Sequence, residues 1–81
     1  MTKSVFTENY DTFLKILTKA RKSVGITQTE LANKIKQSQS YVSKYENGER
    51  RLDVIEFIGI TKALGVDPLK ILDELVGNWK K

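Results

Sequence analysis

The sequence predicts an all-α fold, a compact bundle of five short helices. Three observations lead there. Apolar residues recur at spacings of three and four along most of the chain, and strand-like alternation is weak. Helix-start residues stand at four separate points, Thr27, Ser38, Asp53 and Asp67. The only proline, Pro68, directly follows the last of them, where the first turn of a helix accepts it. Eighty-one residues suffice for one small domain with a modest core. The expected division is an arm over residues 1–7, a folded domain over 8–76 and a tail over 77–81 that frays.

The first helix is expected from Glu8 to Ser23. Tyr10, Phe13, Leu14, Leu17, Ala20 and Val24 fall on one stripe, Lys15, Lys19 and Lys22 lie on the other side, and Gly25 ends the run. The second helix starts at the capping box Thr27-Gln28-Thr29-Glu30, in which each end residue can satisfy the other's backbone amide. Its inner face is Leu31, Ala32 and Ile35. Two turns are too few to be stable alone, so packing must hold it. After a turn at Lys36-Gln37, Ser38 caps a third helix over Gln39–Glu46 with Val42 and Tyr45 inward, closed by Asn47-Gly48. A second capping box, Asp53 to Glu56, opens the fourth helix, which runs to Leu64-Gly65 with Phe57, Ile60 and Leu64 as its inward stripe. Asp67 caps the fifth, whose apolar face is Ile71, Leu72, Leu75 and Val76.

Composition narrows the function. There is no cysteine and no histidine. Disulfides, thiolate zinc sites and cysteine nucleophiles are excluded, along with the commonest metal ligand and general base. No nucleophile–base pair can be assembled, so the expectation is a non-enzyme that needs no metal, cofactor or small-molecule ligand. No apolar run approaches the roughly 20 residues that span a bilayer. The first eleven residues, with one lysine and two acids, do not read as a signal peptide, and the expected location is the cytoplasm. A basic helix lying on a membrane, from Phe13 to Val24, is disfavoured because its apolar face is needed for the core. The net charge of +4 is unevenly spread. Residues 12–51 carry nine Lys/Arg and three Asp/Glu, a net of +6, whereas 1–11 and 52–81 are each −1. Such clustering is the footprint of a polyanion-binding face, although lysines that only solubilise a small helical protein leave a similar count.

Two helices meeting steeply across a short turn explain the pattern from Thr27 to Gly48. Ala32 is small where the third helix crosses the second, and Leu31, Ile35, Val42 and Tyr45 fill the angle. The third helix then turns Gln39, Ser40, Ser43 and Lys44 outward, with no carboxylate before Glu46. A major groove is wide enough to admit such a helix.

The segment Ile26-Thr27-Gln28-Thr29-Glu30-Leu31-Ala32, together with Gln39-Ser40-Tyr41-Val42-Ser43-Lys44-Tyr45-Glu46-Asn47-Gly48, resembles the XRE, or lambda-repressor-like, helix-turn-helix family. Leu64-Gly65-Val66-Asp67-Pro68 resembles the close of that domain, and the likeness covers about residues 12 to 75. Gln28, Glu30-Leu31-Ala32, Val42, Glu46 and Gly48 all fall in the family's register. The resemblance implies a sequence-specific regulator of transcription that binds double-stranded DNA at a palindromic operator, as a repressor or controller protein. A protein-interaction module or a DNA-binding antitoxin of the same fold is the alternative.

The resemblance also implies roles. Gln39, Ser40, Ser43 and Lys44 become the expected base readers, with Gln39 and Ser40 foremost because the start of the helix lies deepest in the groove. Gln28 is expected to hold a phosphate and to brace Gln39. Lys36, Ser38, Asn47, Arg50 and Arg51 are expected at the DNA backbone. Tyr41 is expected to give its hydroxyl to a phosphate, or else to lie partly buried against a neighbouring helix. Arg21 is expected to pair with Glu46 and fix the third helix against the bundle. Lys36 departs from the family, which often has glycine there. A left-handed backbone costs about 1 kcal/mol or more for another residue, so this turn either differs or bears strain.

A surplus of apolar residues completes the reading. Once Phe57, Ile60 and Leu64 face inward, Val54, Ile55 and Ile58 remain, and Leu69 and Trp79 are similarly left over. The expectation is a homodimer built on these five residues. The competing arrangement has Val5, Phe6 or Trp79 folding back over Ile55 and Ile58 within one chain.

Overall fold

The computed structural model describes residues 5–81, Val5 by its backbone alone. Five helices follow in order: α1 (Val5–Val24), α2 (Gln28–Lys34), α3 (Gln39–Glu46), α4 (Val54–Leu64) and α5 (Pro68–Gly77). Among the described residues there is no strand, and no helix is long and apolar enough to cross a membrane. The last four helices begin where their caps stand. Thr27 accepts from the amide of Glu30 and Asp53 from that of Glu56, each within a complete capping box, while Ser38 caps α3 and Asp67 caps α5.

α1 begins three residues ahead of Glu8, so Val5–Thr7 of the expected arm are helical; the rest of that arm lies outside the described residues. The extra turn carries Phe6 toward the groove that Tyr10 and Phe13 also line. Asn9, just beyond that turn, is only 3% exposed. The Asn9 amide donates to the Lys80 carbonyl at 2.9 Å and accepts from the Lys80 amide at 2.9 Å. The tail expected to fray is thereby tied to the first helix. α3, α4 and α5 all pack on α1, so its buried arc is wider than one stripe and takes in Ile16. Val24, expected inward, is 43% exposed. Arg21 occupies the inner position at that end of α1 instead, donating to the Ile26 carbonyl at 2.8 Å.

The core is built from Leu14 and Leu17 of α1, Leu31 and Ala32 of α2, Val42 and Tyr45 of α3, Phe57, Ile60 and Leu64 of α4, and Ile71 of α5. α5 buries less than its sequence suggests. Ile71 is buried and Leu75 is half-buried, but Leu72 and Val76 face solvent. They continue the row begun by Leu69 at spacings of three and four, a second apolar stripe rather than part of the first. Ile55 on the adjacent helix is 74% exposed. Trp79 does not fold over Ile55 or Ile58. With Phe6, Phe13, Val54 and Leu72 it lines a groove of about 370 Å³ between α1, α4 and α5.

α1, α2, α3 and α4 end alike. A left-handed residue donates its amide three residues back and the next residue donates five back, satisfying carbonyls that the helix end leaves open. The left-handed residue is Gly25, Gly48 or Gly65 in three cases and Lys36, at φ 57°, in the fourth. The Lys36 amide reaches the Asn33 carbonyl at 3.3 Å and the Gln37 amide the Ala32 carbonyl at 2.9 Å. The turn therefore keeps the usual geometry and bears the strain. A lysine side chain in this conformation costs about 1–2 kcal/mol, and the greater freedom of an unfolded glycine returns about 0.5–1 kcal/mol of that. Lys36→Gly should therefore raise stability by about 0.5–1 kcal/mol. Thermal unfolding followed by circular dichroism reads it. A lower melting temperature in the variant would mean that contacts of the lysine side chain stabilise the turn by more than its left-handed backbone costs.

Candidate nucleic-acid interface

The interface is built on the capping box of α2. Thr27 and Glu30 exchange bonds of 3.1 and 3.0 Å, which sets Gln28 in the first turn. From there a chain of side-chain hydrogen bonds runs outward from the core. Arg21 donates to both oxygens of Glu46, from Nε at 2.7 Å and from Nη2 at 3.1 Å. The two side chains are only 9% and 6% exposed. Gln28 donates its amide to Glu46 Oε1 at 2.8 Å and accepts from Gln39 Nε2 at 2.7 Å.

Each link limits the next. The guanidinium holds the carboxylate in a two-pronged grip, which adds geometric specificity to charge. The carboxylate orients Gln28, and Gln28 orients Gln39. Gln39 spends one N–H on this chain and keeps its carbonyl oxygen and its other N–H. Those are the groups a glutamine needs to meet both N6 and N7 of an adenine. Gln39, Ser40 and Lys44 are exposed and Ser43 is half-buried, along the side of α3 opposite Val42 and Tyr45. Asn47, the C-cap of α3, is exposed at the end of the same face. Lys36 and Ser38 are exposed at the turn before it.

The loop after α3 is arranged differently from the sequence expectation. Arg50 pairs with Glu56 at 2.7 Å and lies over the Tyr41 ring at 4.6 Å. The Tyr41 hydroxyl donates to Glu56 at 3.0 Å, and its ring meets that of Tyr45 edge-on. Arg50 was expected at a phosphate, and Tyr41 either at a phosphate or partly buried against a neighbouring helix, as it is here. In this structure both close on Glu56, which already holds the start of α4. The Arg50 guanidinium above all, with the Asp53 amide and the Tyr41 hydroxyl, holds the Glu56 carboxyl down to about 2, well below the usual carboxylate range. Arg51 is exposed, with its guanidinium 4.1 Å from the centre of the Tyr10 ring. The Tyr10 hydroxyl accepts from the Leu52 amide at 3.0 Å, so α1 positions the strand of loop that carries Arg51. Sequence spacing gave no sign of this bond across 42 residues.

A short helix braced across a second one, with its polar face turned out, defines a helix-turn-helix unit. The helix-turn-helix family model matches residues 17–71. The chain belongs to the XRE-type helix-turn-helix family of DNA-binding transcription regulators. It is similar to an XRE-family like protein from Pseudomonas syringae pv. tomato, at 43% identity over 94% of this chain and 93% of that one, with a TM-score of 0.88. It is also similar to the clp gene regulator ClgR from C. glutamicum, at 25% identity over 89% of this chain and 94% of that one, with a TM-score of 0.78. No curated protein matches the chain.

Proposed function

We propose that this chain reads sequence in double-stranded DNA by laying α3 in the major groove, as a repressor or controller protein of the cytoplasm. The observation that carries the reading is the hydrogen-bonded chain from Arg21 through Glu46 and Gln28 to Gln39. It fixes one exposed glutamine at the start of α3 while leaving it both a donor and an acceptor. A glutamine serving only solubility needs no such bracing. Gln39 and Ser40 read bases, Lys44 and Ser43 follow along the groove, and Gln28, Lys36, Ser38, Asn47 and Arg51 take the DNA backbone. Arg50 and Tyr41 brace the loop through Glu56. Two copies meet through Ile55 and Ile58 of α4 and the Leu69, Leu72 and Val76 stripe of α5, which places two recognition helices on a palindromic operator.

Gln39→Ala tests the assignment. It should cost about 1–3 kcal/mol on the preferred duplex and relax preference at one base pair, leaving the others as they were. Titration of parent and variant against single-substitution duplexes at one salt concentration reads both effects. Equal affinity and an unchanged preference would remove Gln39 from the reading surface.

A further inference from the structure

α1 carries a row of lysines that the recognition helix does not account for. Lys15, Lys19 and Lys22 stand at spacings of four and three, so they share one face. All three are exposed. Among the described residues the ion pairs are Arg21–Glu46 and Arg50–Glu56, and neither includes these lysines. Like charges at this spacing destabilise a helix. The negative end of the helix dipole compensates Lys22, in the last turn, but it does not extend to Lys15 in the middle of α1. A face kept only for solubility mixes signs, as residues 52–81 do with four basic and five acidic side chains.

The lysines also border a concavity. With Thr18 they form one side of an open cleft of about 710 Å³, whose lining includes Glu46 and Asn47 at the end of α3. Glu46 is committed to Arg21 and Gln28. Asp11, one turn before Lys15, is the other carboxylate of the lining. A cleft lined by one dominant sign concentrates field and attracts the opposite charge. Asn47 joins this cleft to the outward face of α3, so a nucleic-acid strand passing Asn47 meets the lysines next. Lys15 to Lys22 span about 10 Å along the helix, close to three phosphate-to-phosphate steps of axial rise on one strand.

We infer that Lys15, Lys19 and Lys22 form a second phosphate-binding track, which grips the backbone of the bound duplex beside the base pairs that α3 reads. The inference rests on the DNA-binding reading and extends the footprint beyond the helix-turn-helix. The track supplies affinity without sequence information, since phosphates are the same at every base pair.

The test is the triple variant Lys15→Gln, Lys19→Gln, Lys22→Gln, with affinity for one duplex measured between 50 and 200 mM salt. Each lost phosphate contact lowers the salt slope by about 0.9, so the slope should fall by about 2.7. The loss of affinity over that fourfold rise in salt then becomes about forty-fold smaller than in the parent. Base preference should not change. The melting temperature should not fall, because glutamine is as good a helix former as lysine and the mutual repulsion is gone. If the triple variant does not fold, Lys19→Gln alone should lower the slope by about 0.9. A parent slope retained in the folded variant overturns the track and leaves the DNA reading standing. An unchanged duplex slope with lost binding to phosphatidylserine vesicles overturns it in favour of a lipid surface. A parent that binds no duplex overturns both readings.

Discussion

Glu46→Gln should destabilise the folded chain by about 3–5 kcal/mol, because it leaves the Arg21 guanidinium charged, buried and without a counter-charge. For a domain of this size that lowers the melting temperature by about 12 °C or more. Glutamine keeps the size of glutamate and one accepting oxygen, so the change isolates charge from packing. The site should suffer as well. Glu46 is the acceptor that orients Gln28, and Gln28 is the acceptor that orients Gln39. At temperatures where the variant is still folded, its duplex affinity and base preference should both weaken. Circular dichroism melting without DNA reads the first effect. A variant that melts like its parent would mean that solvent screens the pair and that the brace is weak.

Ile58→Glu should separate two copies of the chain while leaving each one folded. Ile58 lies with Ile55 on the exposed side of α4, next to α5, whose Leu69 and Val76 are 71% and 70% exposed. Apolar side chains this large on two neighbouring helices are the surface that the proposed dimer would cover. A charge placed among them costs the dimer its dry interface, while the monomer, in which Ile58 is 37% exposed, loses the burial of the rest of that side chain. The parent should sediment at micromolar concentration as twice its 9.3 kDa, and the variant as a monomer of unchanged helical content. Affinity for a duplex with two half-sites should fall about 100-fold or more as the second contact ceases to be intramolecular. Affinity for a single half-site should hold. A parent that stays monomeric with and without a two-half-site duplex contradicts the interface.

The parts of the fold legible in the sequence are those set by local chemistry. α2 and α4 start at capping boxes that lie within four consecutive residues, and Pro68 after Asp67 fixes the start of α5. The inward residues of α3, Val42 and Tyr45, follow from their spacing of three. What escaped depends on partners distant in sequence. The tie of the tail to α1 rests on Asn9 and Lys80, 71 residues apart. Arg50 and Tyr41 are basic and hydroxylated residues on and beside α3, and the family resemblance suggested phosphates for both, with partial burial as the alternative for Tyr41. Only the folded chain brings Glu56 between them. Leu72 and Val76 show a related limit. Periodicity marks them as apolar neighbours of Ile71 and Leu75 without saying that α1 and α4 cover just one side of the helix.

Selection of bound sequences from a pool of random duplexes tests sequence-specific recognition by α3 most directly. The expected result is one enriched motif made of two related, inverted half-sites, their centres about 10–10.5 base pairs or a multiple of that apart. Repeated with Gln39→Ala, the selection should return the same motif with one base pair per half-site no longer preferred. A pool that emerges without enrichment, or a motif that Gln39→Ala leaves intact, would contradict it.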